Sequence, residues 1–170
     1  MNERHTLKSL PGVSHSGGPV LWVELSIRSA ITAISPFVDK LMLLIKRCRC
    51  AQGSEIDVEV SLREALANAV VHGNHEDPDK HVYVVCRCTP DGEVSIVVRD
   101  EGAGFNSAKL PNPTTTEQLQ STHGRGIYLM RTLMDEVHFE QRGRVVFMRK
   151  VSNARPGAER WDEKAPAVPW

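Results

Sequence analysis

Apolar and polar positions follow a regular order between residues 19 and 152. Leu21, Val23, Leu25 and Ile27 alternate with Trp22, Glu24, Ser26 and Arg28, the two-residue period of a half-buried strand. Ser35-Pro36 then reads as a helix start, with Ser35 as N-cap and Pro36 at the first helical position. Phe37, Leu41, Leu44 and Cys48 supply the apolar stripe of that helix. A second helix is predicted from about Ser54 or Ile56 to His72, with Gly73 ending it. Val82, Val84, Cys86 and Cys88 mark one strand and Val94, Ile96 and Val98 the next, joined by a Pro90-Asp91-Gly92 turn. A Gly-rich loop and a polar stretch run to His123, and a short helix covers 127–134. Residues 137–140 and 145–150 form a last hairpin around Arg142-Gly143.

Strand, helix, helix, two strands, loop, helix, two strands predicts a two-layer α/β sandwich, with a mixed, largely antiparallel sheet and the helices on one face. It does not read as a doubly wound parallel sheet. At 170 residues the chain suits one domain with tails. Residues 1–18 are expected to be a disordered tail, 19–152 the domain, and 153–170 a C-terminal tail that carries Trp161 and Trp170.

One polar pair breaks the apolar logic of the second helix. At about 100° per residue, Val58, Leu62, Ala65, Leu66 and Ala69 share the face that should pack on the sheet. Glu59 and Arg63 mark the solvent side. Glu64 lies five residues past Glu59, and Asn68 five past Arg63. Each is therefore turned about 140° away from its exposed counterpart. Val60, Ala67 and Val71 flank them, so the two form a polar stripe inside apolar surroundings. From the helix alone two readings are open. The pair bonds loop backbone or reaches water at a helix edge. Or it lines a pocket, where an amide oxygen is a hard ligand suited to magnesium and a carboxylate one turn earlier accepts a proton from an attacking hydroxyl.

Two glycine motifs bear on that choice. In "VRDEGAGFN", residues 98–106, Asp100 continues the alternation of Val94, Ile96 and Val98, and so aims a carboxylate inward at a strand end, where it needs a partner. The exocyclic amine of adenine would serve; a turn-capping role is the plain alternative. Gly102 and Gly104 let the chain turn sharply and approach a ligand. In "THGRGIYLMRTLMDEV", residues 122–137, Gly124-Arg125-Gly126 leads into a helix, where free N–H groups, the helix dipole and an arginine favour phosphate. A solvated Arg125 in a loop is the alternative there. Leu129, Met130 and Leu133 read as core, and Asp135-Glu136 as ordinary surface charge.

E-x-x-x-N at 64–68, D-x-G-x-G-F at 100–105 and G-R-G-x-x-L-M at 124–130 together resemble the GHKL (Bergerat-fold) ATPases. Within them, "EALANAVVHGN" and the stretch from Asp100 to Val137 resemble the anti-sigma-factor serine/threonine kinases of stress and sporulation switches. The resemblance covers about Val20 to Val151. It implies Glu64 as general base, Asn68 as magnesium ligand and Asp100 as partner of the adenine amine. It implies Gly102, Gly104 and Phe105 at the adenine pocket, 106–123 as a lid, and His123, Gly124, Arg125 and Gly126 at the phosphates. The family often has Gly-Thr at the start of the final strand, with the threonine near adenine; here Gly143 is followed by Arg144, so Asp100 is expected to dominate. The implied activity is Mg-ATP-dependent phosphorylation of a STAS-type anti-sigma-factor antagonist by a homodimer that also binds a sigma factor. The alternatives are a binding module that uses ATP without transfer, and an orphan histidine-kinase-like catalytic domain.

Charge and cysteines narrow the setting. Lys plus Arg equals Asp plus Glu at 21 each, which gives no general attraction for nucleic acid or membrane. Met1 to Gly18 is polar and no run approaches the ~20 apolar residues of a membrane span, so a cytoplasmic protein without a signal peptide is expected. Cys48, Cys50, Cys86 and Cys88 form two C-x-C pairs, read as core or free thiols in a reducing compartment in preference to a zinc site.

Overall fold

A computed structural model of the chain describes residues 20–104 and 122–152, with side chains from 125 onward in the second stretch. Strand β1 (Leu21–Arg28) is followed by helices α1 (Ile31–Arg47) and α2 (Glu55–Ala67), and a π-helical turn (Asn68–Gly73) extends α2. Strands β2 (His81–Cys88) and β3 (Val94–Arg99), helix α3 (Thr122–Leu133) and strands β4 (Glu136–Glu140) and β5 (Val145–Lys150) complete it. The sheet has the order β1-β2-β3-β5-β4. Every pairing is antiparallel, with Val23 opposite Cys86, Cys86 opposite Ile96 and Ile96 opposite Met148.

Those four residues lie on one transverse row of the inner face. Val23, Cys86, Ile96 and Met148 are buried there, as are Ile27, Val82, Val84 and Val98. The helices supply Val38, Leu41, Ile45, Val58, Leu62, Leu66 and Met130, all fully buried. Each large side chain so enclosed favours folding by about 1.5–3 kcal/mol. On the opposite face Trp22, Glu24 and Ser26 are exposed, and the Arg99 guanidinium lies 4.5 Å above the Tyr83 ring. This is the two-layer sandwich that the element order predicts.

Helix α1 departs from its expected start. It begins at Ile31, not at Pro36, and Ala30 caps it with extended backbone and no side-chain bond. Pro36 sits inside the helix near its N-terminus, where its missing N–H leaves only the Thr32 carbonyl, on the exposed side, without its donor. The longer helix buries Ile34, Val38, Leu41, Met42 and Ile45, while Phe37, Leu44 and Cys48 of the predicted stripe are half-buried. Ser35 does not cap: its Oγ accepts from Arg63 Nη1 at 3.1 Å. Arg63 also bonds Asp39 Oδ1 and Glu59 Oε1, each at 2.9 Å from Nη2, and so ties α1 to α2.

Two further expectations are corrected. Asp135 and Glu136 are not idle surface charge. Asp135 Oδ2 accepts from the Val151 N–H at 2.7 Å, and Glu136 Oε2 accepts from Arg149 Nε at 2.7 Å, which also holds its carboxyl below the usual range. Nor are all four cysteines free. Cys50 and Cys88, both fully buried, form a disulfide with Cα atoms 6.1 Å apart. It links the loop after α1 to the end of β2. Cys48 and Cys86 are free, and burial pushes the Cys86 thiol up to about 12. Among the described residues no group of three or more His, Cys, Asp or Glu could hold a metal ion. No described helix is long and apolar enough to cross a membrane.

The disulfide closes a span of 38 residues, so its loss is expected to cost about 3 kcal/mol, or roughly 10 °C in Tm. Thiol titration in denaturant should find two reactive thiols without reductant and four after reduction. Four at the outset, or a melt unchanged by reduction, would remove this cross-link.

Candidate functional site

Helix α2 and its π-helical extension form one wall of the site. The Asn74 N–H reaches back to the Ala69 carbonyl at 2.8 Å, five residues earlier, which widens the last turn. The sequence pattern predicts a regular helix through His72; its existence and end are right, but the π turn is not visible in the spacing. Asn68, Ala69, His72 and Gly73 all border a cleft of about 290 Å³ between this wall, α3 and the ends of β3 and β5. Val98, Val146, Ile127 and Met130 give the cleft an apolar floor.

Asp100 stands at one end. It is 7% exposed, as its inward alternation predicts. Its Oδ1 accepts from the Gly102 N–H at 2.8 Å, and its own backbone N–H donates to the Arg144 carbonyl at 3.0 Å. Burial pushes its carboxyl up, opposed by the Gly102 bond and by the charges of Arg144 and Lys80. The helix wall is packed against it too tightly for a side chain. A Cβ on Gly73 would fall 2.6 Å from Asp100 Oδ2, and one on Gly102 would run into the Gly73 carbonyl. Gly104, at φ +78°, has no room either: its Cβ would lie 2.8 Å from the Arg142 carbonyl.

Asn74 holds this arrangement, and the sequence pattern assigns it no role. It is fully buried; its Oδ1 accepts from the Glu101 N–H at 2.8 Å and its Nδ2 donates to the His81 carbonyl at 3.0 Å. Glu101 adds bonds to the His81 N–H at 2.8 Å and the Tyr83 hydroxyl at 3.0 Å. The end of the helix, the start of β2 and the Asp100 turn are thereby joined. An amide directly after a helix-ending glycine was the available signal.

Glu64 and Asn68 stand toward the other end, against α3. A Cβ on the buried Gly126 would lie 2.5 Å from Glu64 Oε2 and 3.6 Å from Asn68 Nδ2. Neither side chain has a hydrogen-bond or ion-pair partner among the described residues. The loop-backbone bonding that one sequence reading allows is therefore not made there. Gly124-Arg125-Gly126 does not precede the helix: it lies within the first turns of α3, which starts at Thr122. The N–H groups of that first turn have no acceptor within the helix, and Arg125 is exposed. The His123 side chain, Phe105 and residues 106–121 of the lid expected over 106–123 lie outside the described residues, while residues 122 and 123 belong to α3 and not to a loop.

From Glu64 to Gly73 the wall spans nine residues, roughly 13 Å at helical rise. One end offers a buried carboxylate that prefers a donor. The floor suits a flat apolar group. The other end offers a carboxylate, an amide oxygen and a helix start. A planar base with an exocyclic amine, carrying an anionic chain, matches that order.

Replacing Asp100 by Asn keeps the shape and the Gly102 bond but removes the buried charge. Folding raises the Asp100 pKa, so this carboxyl favours the folded state fully below its unfolded value near 4 and loses that as pH rises through the folded one. Ligand-free Asp100→Asn is expected to melt above wild type at neutral pH, with the gain gone at about pH 4. Melts at the two pH values check this; equal melting at neutral pH would show that the charge is already compensated.

Residues 27–150 match the family described as "Histidine kinase-like ATPase domain". The chain is similar to proteins named "Anti-sigma F factor": 31% identical over 135 residues to that of Priestia megaterium, covering 76% of this chain and 82% of that one. For Geobacillus stearothermophilus the identity is 34% with the same coverage. For Heyndrickxia coagulans it is 38% over 93 residues, 51% of this chain and 63% of that protein. The antiparallel sheet, the helices on one face and the cleft between them are those expected of a GHKL-type ATPase fold. The chain belongs to the histidine kinase-like ATPase family.

Proposed function

We propose that this protein is a Mg-ATP-dependent serine/threonine protein kinase that acts as an anti-sigma regulator. The observation that carries the reading is the cleft's pair of polar ends. Among the described residues the buried Asp100 carboxyl accepts only from backbone N–H groups, while Glu64 and Asn68, whose side chains have no bonding partner there, stand against Gly126. The family supports ATP as the occupant, and the relatives' name supports regulation of a sigma factor.

In this reading Asp100 accepts from the adenine amine, and Gly73, Gly102 and Gly104 keep the backbone close enough for the base to enter. Asn68 would hold magnesium through its amide oxygen, where the bound ion would offset phosphate charge; one protein oxygen beside substrate phosphates is the way this ion is usually held. The first turn of α3, with Gly124, Arg125 and Gly126, receives the phosphates, and Phe105 and His123 complete the surround. Glu64 takes the proton of the substrate hydroxyl as its oxygen attacks the γ-phosphorus and ADP departs. A carboxylate free of internal partners is suited to that; a module that only binds ATP has no use for one. The substrate is a STAS-type anti-sigma-factor antagonist, the alternate partner is a sigma factor, and the protein acts as a homodimer.

Transfer of labelled γ-phosphate from Mg-ATP into a candidate STAS partner tests this. Acid-stable label is expected with wild type. Glu64→Ala should keep ATP binding and lose on the order of 10²-fold or more in transfer. Full activity in Glu64→Ala would remove the assigned base. Acid-labile label would point to a phosphohistidine, and binding without transfer to a non-catalytic switch.

A further inference from the structure

Arg144 occupies the cleft at the Asp100 end, and nothing in the mechanism above uses its side chain. Its stem is fixed. The Cβ that Gly104 lacks would lie 3.1 Å from Arg144 Cγ, so the arginine stem passes over a glycine that leaves room for it. Its head is tethered to the neighbouring turn. Nε donates to the Gln141 carbonyl at 3.4 Å and Nη2 to Gln141 Oε1 at 3.2 Å. Both acceptors are neutral and belong to the turn between β4 and β5. The guanidinium has no carboxylate ion pair among the described residues, although its charge is felt at Asp100.

A planar cation held by its stem and one edge still has an open face and unused N–H donors. It lines the same cleft as Asp100, whose carboxyl feels its charge, and as the apolar Val98, Val146, Ile127 and Met130. The phosphate end, at Glu64 and Gly126, is at the other extreme of the wall. We propose that Arg144 is a base-contacting residue, its guanidinium packing on the exposed face of the bound adenine and setting how tightly the cleft holds adenine nucleotides. The inference rests on the ATP reading of the cleft. Stacking of this kind contributes without demanding a hydrogen-bond pattern, so it adds affinity while Asp100 keeps the choice of base.

The test is equilibrium binding of ATP, ADP and AMP to the full chain, wild type beside Arg144→Met and Gln141→Ala. A base contact is common to all three nucleotides. Arg144→Met is therefore expected to weaken each by the same factor, about tenfold. Gln141→Ala, in an exposed turn, keeps the arginine and its Nε bond to the residue 141 carbonyl but removes the Nη2 tie, and should weaken all three by a smaller common factor; it stands in if Arg144→Met does not fold. Binding of ATP by Arg144→Met within about twofold of wild type would overturn the inference. So would a loss that grows from AMP to ATP, since that marks a phosphate contact. Wild type that binds no adenine nucleotide would overturn the ATP reading and this inference with it, whereas wild type that binds while both variants match it overturns this inference alone.

Discussion

The cleft depends on a crossing that admits no side chain. The π-helical end of α2 passes so close to the end of β3 that Gly73 and Gly102 have to be glycines, and Asp100 fills what space is left between them. Two backbones at that separation need their polar groups satisfied by short links, and Asn74 supplies them to both Glu101 and His81. The carboxylate is thus held in place by backbone geometry. A residue fixed this way keeps its lone pairs in place before any ligand arrives, which is what a binding site needs to avoid an ordering cost.

The division of the cleft follows from that crossing. With Asp100 fixed where the wall ends, the wall's own helical rise puts Glu64 and Asn68 at the far end, next to the α3 glycines. Gly126 then does for α3 what Gly73 does for the wall. Its missing Cβ lets α3 approach the Glu64 carboxylate directly. In the proposed reading, binding and chemistry are therefore separated along a single helix.

Much of this is legible in the chain. Alternation identifies all five strands, and the inward position of Asp100 follows from the same count as Val94, Ile96 and Val98. The helical wheel of α2 separates the buried face from the Glu64–Asn68 stripe. What the pattern misses has a physical cause in each case. Ser35-Pro36 has the local chemistry of a helix start, but burial of Ile34 and Val38 extends the helix backwards, and the one bond that Pro36 removes falls on the exposed side at Thr32. The π turn comes from one extra residue per turn, which apolar spacing over six residues cannot register. The pairing of Cys50 with Cys88 depends on where α1 ends and how the following turn folds onto β2, a tertiary fact with no local signal. The glycines between Thr122 and Gly126 read as loop because glycine is a poor helix former; here the closeness of Glu64 makes the missing side chain more important than propensity.

Electrical neutrality gives the cleft its last constraint. With equal numbers of acidic and basic residues, no broad field draws an anionic ligand to the surface. Attraction has to be built locally, yet Asp100 in the cleft and Glu64 beside Gly126 oppose it. Arg144 lines the cleft with Asp100, and Arg125 is exposed in the first turns of α3. Arg149 and Lys150, on neighbouring β5, are instead engaged by Glu93, Glu136, Asp57 and Asp135. Pairing those two leaves the cleft's charge to arginines whose only side-chain tie among the described residues, Arg144 to Gln141, is to a neutral group. The cations of β5 are thus engaged within the sheet and helices, whereas Arg144 in the cleft has no carboxylate ion pair among the described residues.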